Sequence, residues 1–256
     1  MDLDYSLSEK CYKGIIKNYI SLGHNCFVAT ELEQMGLRSC SMPFDWNRTK
    51  WKAIVSSFEN EFKGFLEYEK LFQKRTAPHV YKNLDYGIGF FHDFNAYRPL
   101  KYQLKSVEKK YRRRIKRFFR YISSPTLFIR YCMDKAELDD IASNYSSIEK
   151  MIKSYNADNE IAYISHDRIK DEQCSIIKNI FYIEKKPDEE LNEHPISSSH
   201  ELFDILNNAD YPSREINYLF EKKKNSGLKY HIKRRIKKLK TKRLRKRRIY
   251  VHFNQC

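Results

Sequence analysis

The sequence predicts an α/β fold: a mostly parallel central sheet flanked by helices on both faces, followed by a basic helical C-terminal tail. Three observations carry this expectation. Short, mostly apolar runs such as "TLFIRY" (126–131) and "EIAYIS" (160–165) recur along the chain, the pattern of strands buried on both faces. Long amphipathic stretches separate them, as parallel crossovers require. The positive charge gathers at one end: 222–248 holds 16 of the 49 Lys and Arg and no Asp or Glu, which leaves 33 basic against 33 acidic residues elsewhere.

Taken in order, "YISLGHNC" (19–26) reads as a strand that turns at Gly23 and opens a helix at Cys26. Apolar residues at 28, 32 and 35 continue that helix, and Gly36 suits its end. A Pro-marked turn in "SMPFDWNRTK" feeds a second helix from about Thr49, and "YGIGFF" (86–91) reads as a buried strand. From Pro99, apolar side chains at 100, 104, 107, 111, 115, 118 and 122 describe a long amphipathic helix. "TLFIRY" is the next strand. Asp134 and Glu137 resemble a capping box for a helix running to Met151. "EIAYIS" and "IIKNIFYIE" (176–184) are further strands, and "SSSHELFDILNNA" is a capped helix. The expected organisation is one α/β domain over 1–212 and a basic helical extension over 213–256.

Composition narrows the function. Aromatic residues (19 Tyr, 16 Phe, 2 Trp) suit a packed globule rather than a disordered chain. The cysteines at 11, 26, 40, 132, 174 and 256 form no CxxC and no Cys/His set at zinc spacing. No metal is expected. The acidic, polar N-terminus and the scattered thiols predict a cytosolic protein, and no apolar run has the length of a membrane span.

Cys26 is the chemically suggestive residue. A helix N-terminus presents unpaired N–H groups and partial positive charge, a setting that favours a thiolate and can hold an oxyanion. A small buried hydrophobe is the competing reading. Gly23 permits the turn and Asn25 can cap the helix; His24 stands close enough to be a reserve base. In sheets of this type, ligands bind beyond the carboxyl ends of the strands, where Cys26, His92 and Arg130 are all expected. A nucleophile needs a base and the base needs an orienting group. His92 is the candidate base, and Asp45 or the adjacent Asp93 the candidate orienting carboxylate. Arg130 interrupts an apolar strand, so it either grips an anionic substrate group or pairs with Asp45 or Asp93.

Together, "ISLGHNC", "PFDW", "GFFHDF" and "LFIRY" resemble the bacterial and viral family described as putative papain-like cysteine peptidases (domain of unknown function 1796) over about residues 18–210. The resemblance implies Cys26 as nucleophile, His92 as base, and Asp45 or Asp93 as third member. Gly23, His24, Asn25, Trp46 and Arg130 would surround the substrate, and a papain-like α+β arrangement becomes the alternative fold. A looser similarity, to cysteine–histidine acyltransferases of surface-polysaccharide synthesis, leaves the acyl acceptor open. No cofactor is implied, except an acyl-CoA donor in the acyltransferase case. A non-catalytic module that binds a glycan or nucleotide is the third reading.

Within the tail, Ile232, Ile236 and Leu239 recur at four and three, as in a basic amphipathic helix. Residues 222–248 are therefore expected either to touch an anionic membrane surface, which would place the cytosolic protein at the inner face of the membrane, or to form a solvated, partly disordered extension. Nucleic acid ranks below this, because the balanced body suggests no basic patch and contains no recognised nucleic-acid motif.

Overall fold

The computed structural model describes residues 5–183 and 193–210. The predicted tail, its membrane-facing helix and the boundary at 212 lie outside them. Helix α1 (Leu7–Tyr12) opens with a capping box, in which Ser6 accepts from Glu9 N–H and Glu9 accepts from Ser6 N–H. Then come β1 (Asn18–Ser21), α2 (Phe27–Gln34), β2 (Asn47–Thr49), α3 (Trp51–Glu59), β3 (Leu71–Gln73), β4 (Tyr81–Asn83) and β5 (Ile88–Phe90). The rest are α4 (Leu104–Ile122), β6 (Thr126–Tyr131), α5 (Lys135–Ser143), α6 (Tyr145–Lys153), β7 (Glu160–His166), β8 (Ile180–Ile183), α7 (Pro195–Ser198) and α8 (His200–Asn207).

Four strands form a parallel sheet in the order β1-β6-β7-β8. Its two faces are both covered, as the apolar runs require. Val28 and Leu32 of α2, with Leu202 and Leu206 of α8, pack with Leu127, Ile129 and Ile164 on one side. Ile54 and Phe58 of α3, Val107 and Phe118 of α4, and Ile148 of α6 pack with Ile20, Phe128 and Tyr163 on the other.

A second, antiparallel sheet in the order β2-β5-β4-β3 sits within the long crossover from β1 to β6. "YGIGFF" is therefore a strand, as read, but belongs to this sheet and not to the parallel one. Strands of three residues are too short to display alternation, and Phe72 is exposed, so β2, β3 and β4 left no periodic signal. Phe65 joins this sheet to the core, with its ring 5.5 Å from Phe90 and 5.3 Å from Tyr111 of α4. The helix read from Asp134 to Met151 is two helices that meet at Asn144, whose Nδ2 donates to Asp140 O at 2.9 Å.

Candidate active site

The strand-to-helix turn after β1 is under backbone strain. Gly23 and His24 take consecutive left-handed conformations, φ +80° and +71°, a geometry that costs a histidine about 1–3 kcal/mol. A Cβ at position 23 would lie 2.3 Å from Thr49 Oγ1, so contact and backbone both demand glycine there. Two hydrogen bonds bracket the loop: His24 N–H donates to Thr49 Oγ1 at 3.0 Å, and Thr49 N–H donates to His24 O at 3.3 Å. Cys26 then occupies the N-cap position of α2, half-buried, with its carbonyl accepting from Thr30 N–H and Oγ1, both at 2.9 Å. No acidic side chain stands in the first turn of α2 to offset its positive end.

Asn25 is buried, and its Oδ1 accepts from Phe27 N–H at 3.0 Å. Only oxygen accepts there, so the amide orientation is determined. Nδ2 is thereby left buried with no partner among the described residues, beside the thiol in the chain. An unpaired buried donor costs about 1–3 kcal/mol.

Arg130 holds this turn in place. Its Nη1 donates to Thr49 Oγ1 (2.9 Å) and Leu22 O (3.0 Å), Nη2 to Thr49 O (2.9 Å), and Nε to Glu137 Oε1 (2.6 Å). The guanidinium is fully buried inside β6. It is spent on structure, so the substrate-gripping role and the pairing with Asp45 or Asp93 are both corrected. The carboxylate that Glu137 would have lent to a capping box goes to Arg130; only Asp134 caps α5, accepting from Glu137 N–H at 2.9 Å. Burial, then the nearby Arg130 and Arg48, depresses the His24 imidazole to about 4. Its ring lies edge-on to Tyr131 with centroids 5.9 Å apart.

His92 is exposed just beyond β5. The pairing of Asn47 with Phe90 brings Asp45–Trp46 and Phe91–His92 side by side past the ends of β2 and β5. The Trp46 and His92 rings meet edge to face at 6.3 Å. The other side of this contact leads back to α2: the Arg38 guanidinium lies 5.2 Å from the Trp46 ring, and Arg38 Nε donates to Ala29 O at 3.0 Å. Among the described residues, no hydrogen bond joins the Cys26 thiol to the His92 ring.

The two carboxylates are otherwise engaged. Asp45 is fully buried; its Oδ2 accepts from Met42 N–H (2.8 Å) and from Arg38 Nη1 (3.2 Å). Burial outweighs these two bonds and raises its carboxyl to about 6. Asp93 forms an ion pair with Lys110 and lies 2.8 Å from the Tyr111 hydroxyl. Neither bonds His92 among the described residues. Thr49 gives no sign in the sequence because its partner Arg130 lies 81 positions away. Arg38 and Glu137 have partners seven positions away, Asp45 and Arg130, but across turns where no helix or strand spacing pairs them, and Glu137 was legible only as a capping residue. Buried Glu31 was missed likewise; it accepts from Ile196 and Ser197 N–H at 2.8 and 2.9 Å and so ties α2 to α7. Its one local sign is a carboxylate beside the apolar Val28 and Leu32.

Other features add no competing centre. Burial raises the Cys11 thiol to about 11 and, with Glu137, the Cys132 thiol far above its ordinary value. A cavity of about 640 Å³ lies between α3 and α6, lined by Trp51, Val55, Ile148 and Met151 and by none of the candidate side chains. Among the described residues no Asp, Glu, His and Cys cluster is arranged for a metal, and no helix is long and apolar enough to cross a membrane.

The uncharacterized protein R408 of Acanthamoeba polyphaga mimivirus is 31% identical over 139 residues, covering 44% of this chain and 60% of that protein. No solved structure matches the chain. A family profile matches residues 17–168, the span from β1 through β7 that contains every candidate residue. The chain belongs to that family, described as putative papain-like cysteine peptidase (DUF1796).

Proposed function

We propose that this protein is a cysteine-nucleophile acyl-transfer enzyme, a hydrolase of the peptidase type. Cys26 attacks a substrate carbonyl while His92 takes the thiol proton. The C=O π electrons move onto oxygen, and the resulting oxyanion is held by Asn25 Nδ2 and the Cys26 N–H. Collapse expels the leaving group, which His92 protonates, and forms a thioester on Cys26. Water, deprotonated by His92, then attacks the thioester and releases the acid. A sugar hydroxyl in place of water makes the same chemistry an acyltransfer. The observation that carries this reading is the buried Asn25 amide with no partner, next to a half-buried thiol on a strained turn.

The test separates thiol activation from oxyanion binding. Cys40 is half-buried like Cys26 and is the fair reference. Iodoacetamide at pH 7 labels Cys26 faster than Cys40, and His92→Ala slows that labelling. Asn25→Ala leaves alkylation unchanged, since alkylation creates no oxyanion, but slows acylation by p-nitrophenyl acetate about 100-fold or more. Equal labelling of the two thiols, or acylation indifferent to Asn25, overturns the reading.

A further inference from the structure

The even charge balance of residues outside the tail conceals a sharp segregation. Helix α4 carries nine Lys and Arg and one Glu in 19 residues. Lys105, Lys109, Arg112, Lys116 and Arg120 recur at steps of four, three, four and four, and all five are exposed. At 3.6 residues per turn they occupy an arc of about 80°, with exposed Arg113 at its edge. The body therefore does present a basic patch, which corrects the ground on which nucleic acid was ranked low.

Nothing described neutralises this ridge. None of these six side chains has a carboxylate partner among the described residues, whereas α5 and α6 offset their lysines with Lys135–Asp139 and Lys153–Glu149 pairs four apart. On α4 the spacing-four pairs 105–109, 109–113, 112–116 and 116–120 are all of like sign, each costing a few tenths of a kcal/mol. Six charges spread over about 22 Å amount to one per about 4 Å of axis, a linear density comparable to the one phosphate per about 3.4 Å that each strand of stacked B-DNA carries along its axis.

The arc also argues against a lipid surface. It contains no apolar side chain, since Leu104, Val107, Tyr111, Phe118 and Ile122 are all buried in the core, so α4 has nothing to insert between acyl chains. The basic tail has the same sign and cannot be the occupant. Aromatic faces stand at the N-terminal end instead. Tyr102 is 59% exposed with Lys101 Nζ 4.9 Å from its ring centroid, and Tyr97 is 97% exposed. Gln103 fixes that end, accepting from Asn95 N–H at 2.6 Å and donating to Asn95 O at 3.1 Å. Exposed tyrosines beside a run of cations form a stacking platform for unpaired bases.

We propose that the exposed face of α4 is a docking ridge for single-stranded nucleic acid, with phosphates along Lys105–Arg120 and bases on Tyr97 and Tyr102. Binding is sequence-tolerant and independent of the chemistry at Cys26. The test uses the full chain, so that the tail contributes equally to every variant, and a fluorescein-labelled oligothymidylate read by anisotropy over a salt series. Changing Lys109, Arg112, Lys116 and Arg120 together to Gln removes four phosphate contacts, weakens binding about tenfold or more, and lowers the slope of log K against log salt by about 3. Exchanging the same residues between Lys and Arg retains binding, which separates charge from folding. Tyr102→Ala weakens binding about tenfold without changing the slope. A slope unaffected by the quadruple substitution assigns all binding to the tail and overturns the proposal. So does a quadruple variant that loses pelleting with phosphatidylcholine–phosphatidylglycerol vesicles while keeping the oligonucleotide.

Discussion

Replacing Asp45 by asparagine should make the protein more stable at neutral pH and leave it nearly unchanged in acid. The carboxyl is completely enclosed, and burial lifts it to about 6 although Arg38 and the Met42 amide pull the other way. An unfolded aspartate titrates near about 3.9, so the folded state binds this proton more tightly. Its stabilising contribution is full below pH about 4 and is lost as the pH rises through about 6. Two pKa units at 1.36 kcal/mol each make that loss about 3 kcal/mol. His24 works in the opposite sense. Its ring is depressed to about 4 against about 6.5 when unfolded, so its contribution is present above about 6.5 and lost as the pH falls through about 4, again about 3 kcal/mol. In the natural chain the two nearly cancel across this window. Asp45→Asn leaves the His24 slope uncompensated. Urea unfolding at several pH values between about 4 and 7.5 should show the gap between variant and parent widening by about 3 kcal/mol in the variant's favour. Parallel stability curves, or a variant clearly weaker than the parent at pH about 7.5, would show that the Arg38 pairing dominates and refute the reasoning.

Three further substitutions test the frame of the turn. Gly23→Ala meets both a left-handed backbone and a Cβ 2.3 Å from Thr49 Oγ1; thermal unfolding should show a loss of about 2 kcal/mol or more, and an unchanged midpoint would contradict it. Arg130→Met leaves Glu137, whose side chain is 8% exposed, without its cation, at a cost of about 3 kcal/mol; adding Glu137→Gln should recover part of this in a double-mutant cycle, and simple additivity would deny the pairing. Glu31→Ala removes the acceptor of the Ile196 and Ser197 amides; their hydrogen exchange should accelerate and stability fall by about 2 kcal/mol, and equal protection would place the anchor elsewhere.

What was legible in the chain was local. "TLFIRY" and "EIAYIS" announced β6 and β7 because a strand enclosed on both faces has little choice but to be apolar. The turn at Gly23–Cys26 was visible because a glycine, a capping residue and an apolar heptad-like run follow one another within a few positions. The three-residue strands β2 to β4 were silent, since pairing and not composition makes them strands, and β5 was visible as a strand without any sign of which sheet it joins. The candidate carboxylates were recognisable as residue types, but their partners were not.

By itself, then, the sequence determined a parallel sheet with a cysteine at the head of its first helix, because burial and turn geometry act between near neighbours. Only the tertiary structure decided that His92 rises from a separate antiparallel sheet, that Arg130 clamps Thr49 and Glu137, and that Asp45 is claimed by Arg38. Those outcomes depend on which charges and strand ends meet once the crossover closes. Arg130 reaches Thr49 across 81 positions of chain, a separation at which no periodic pattern carries information about contact.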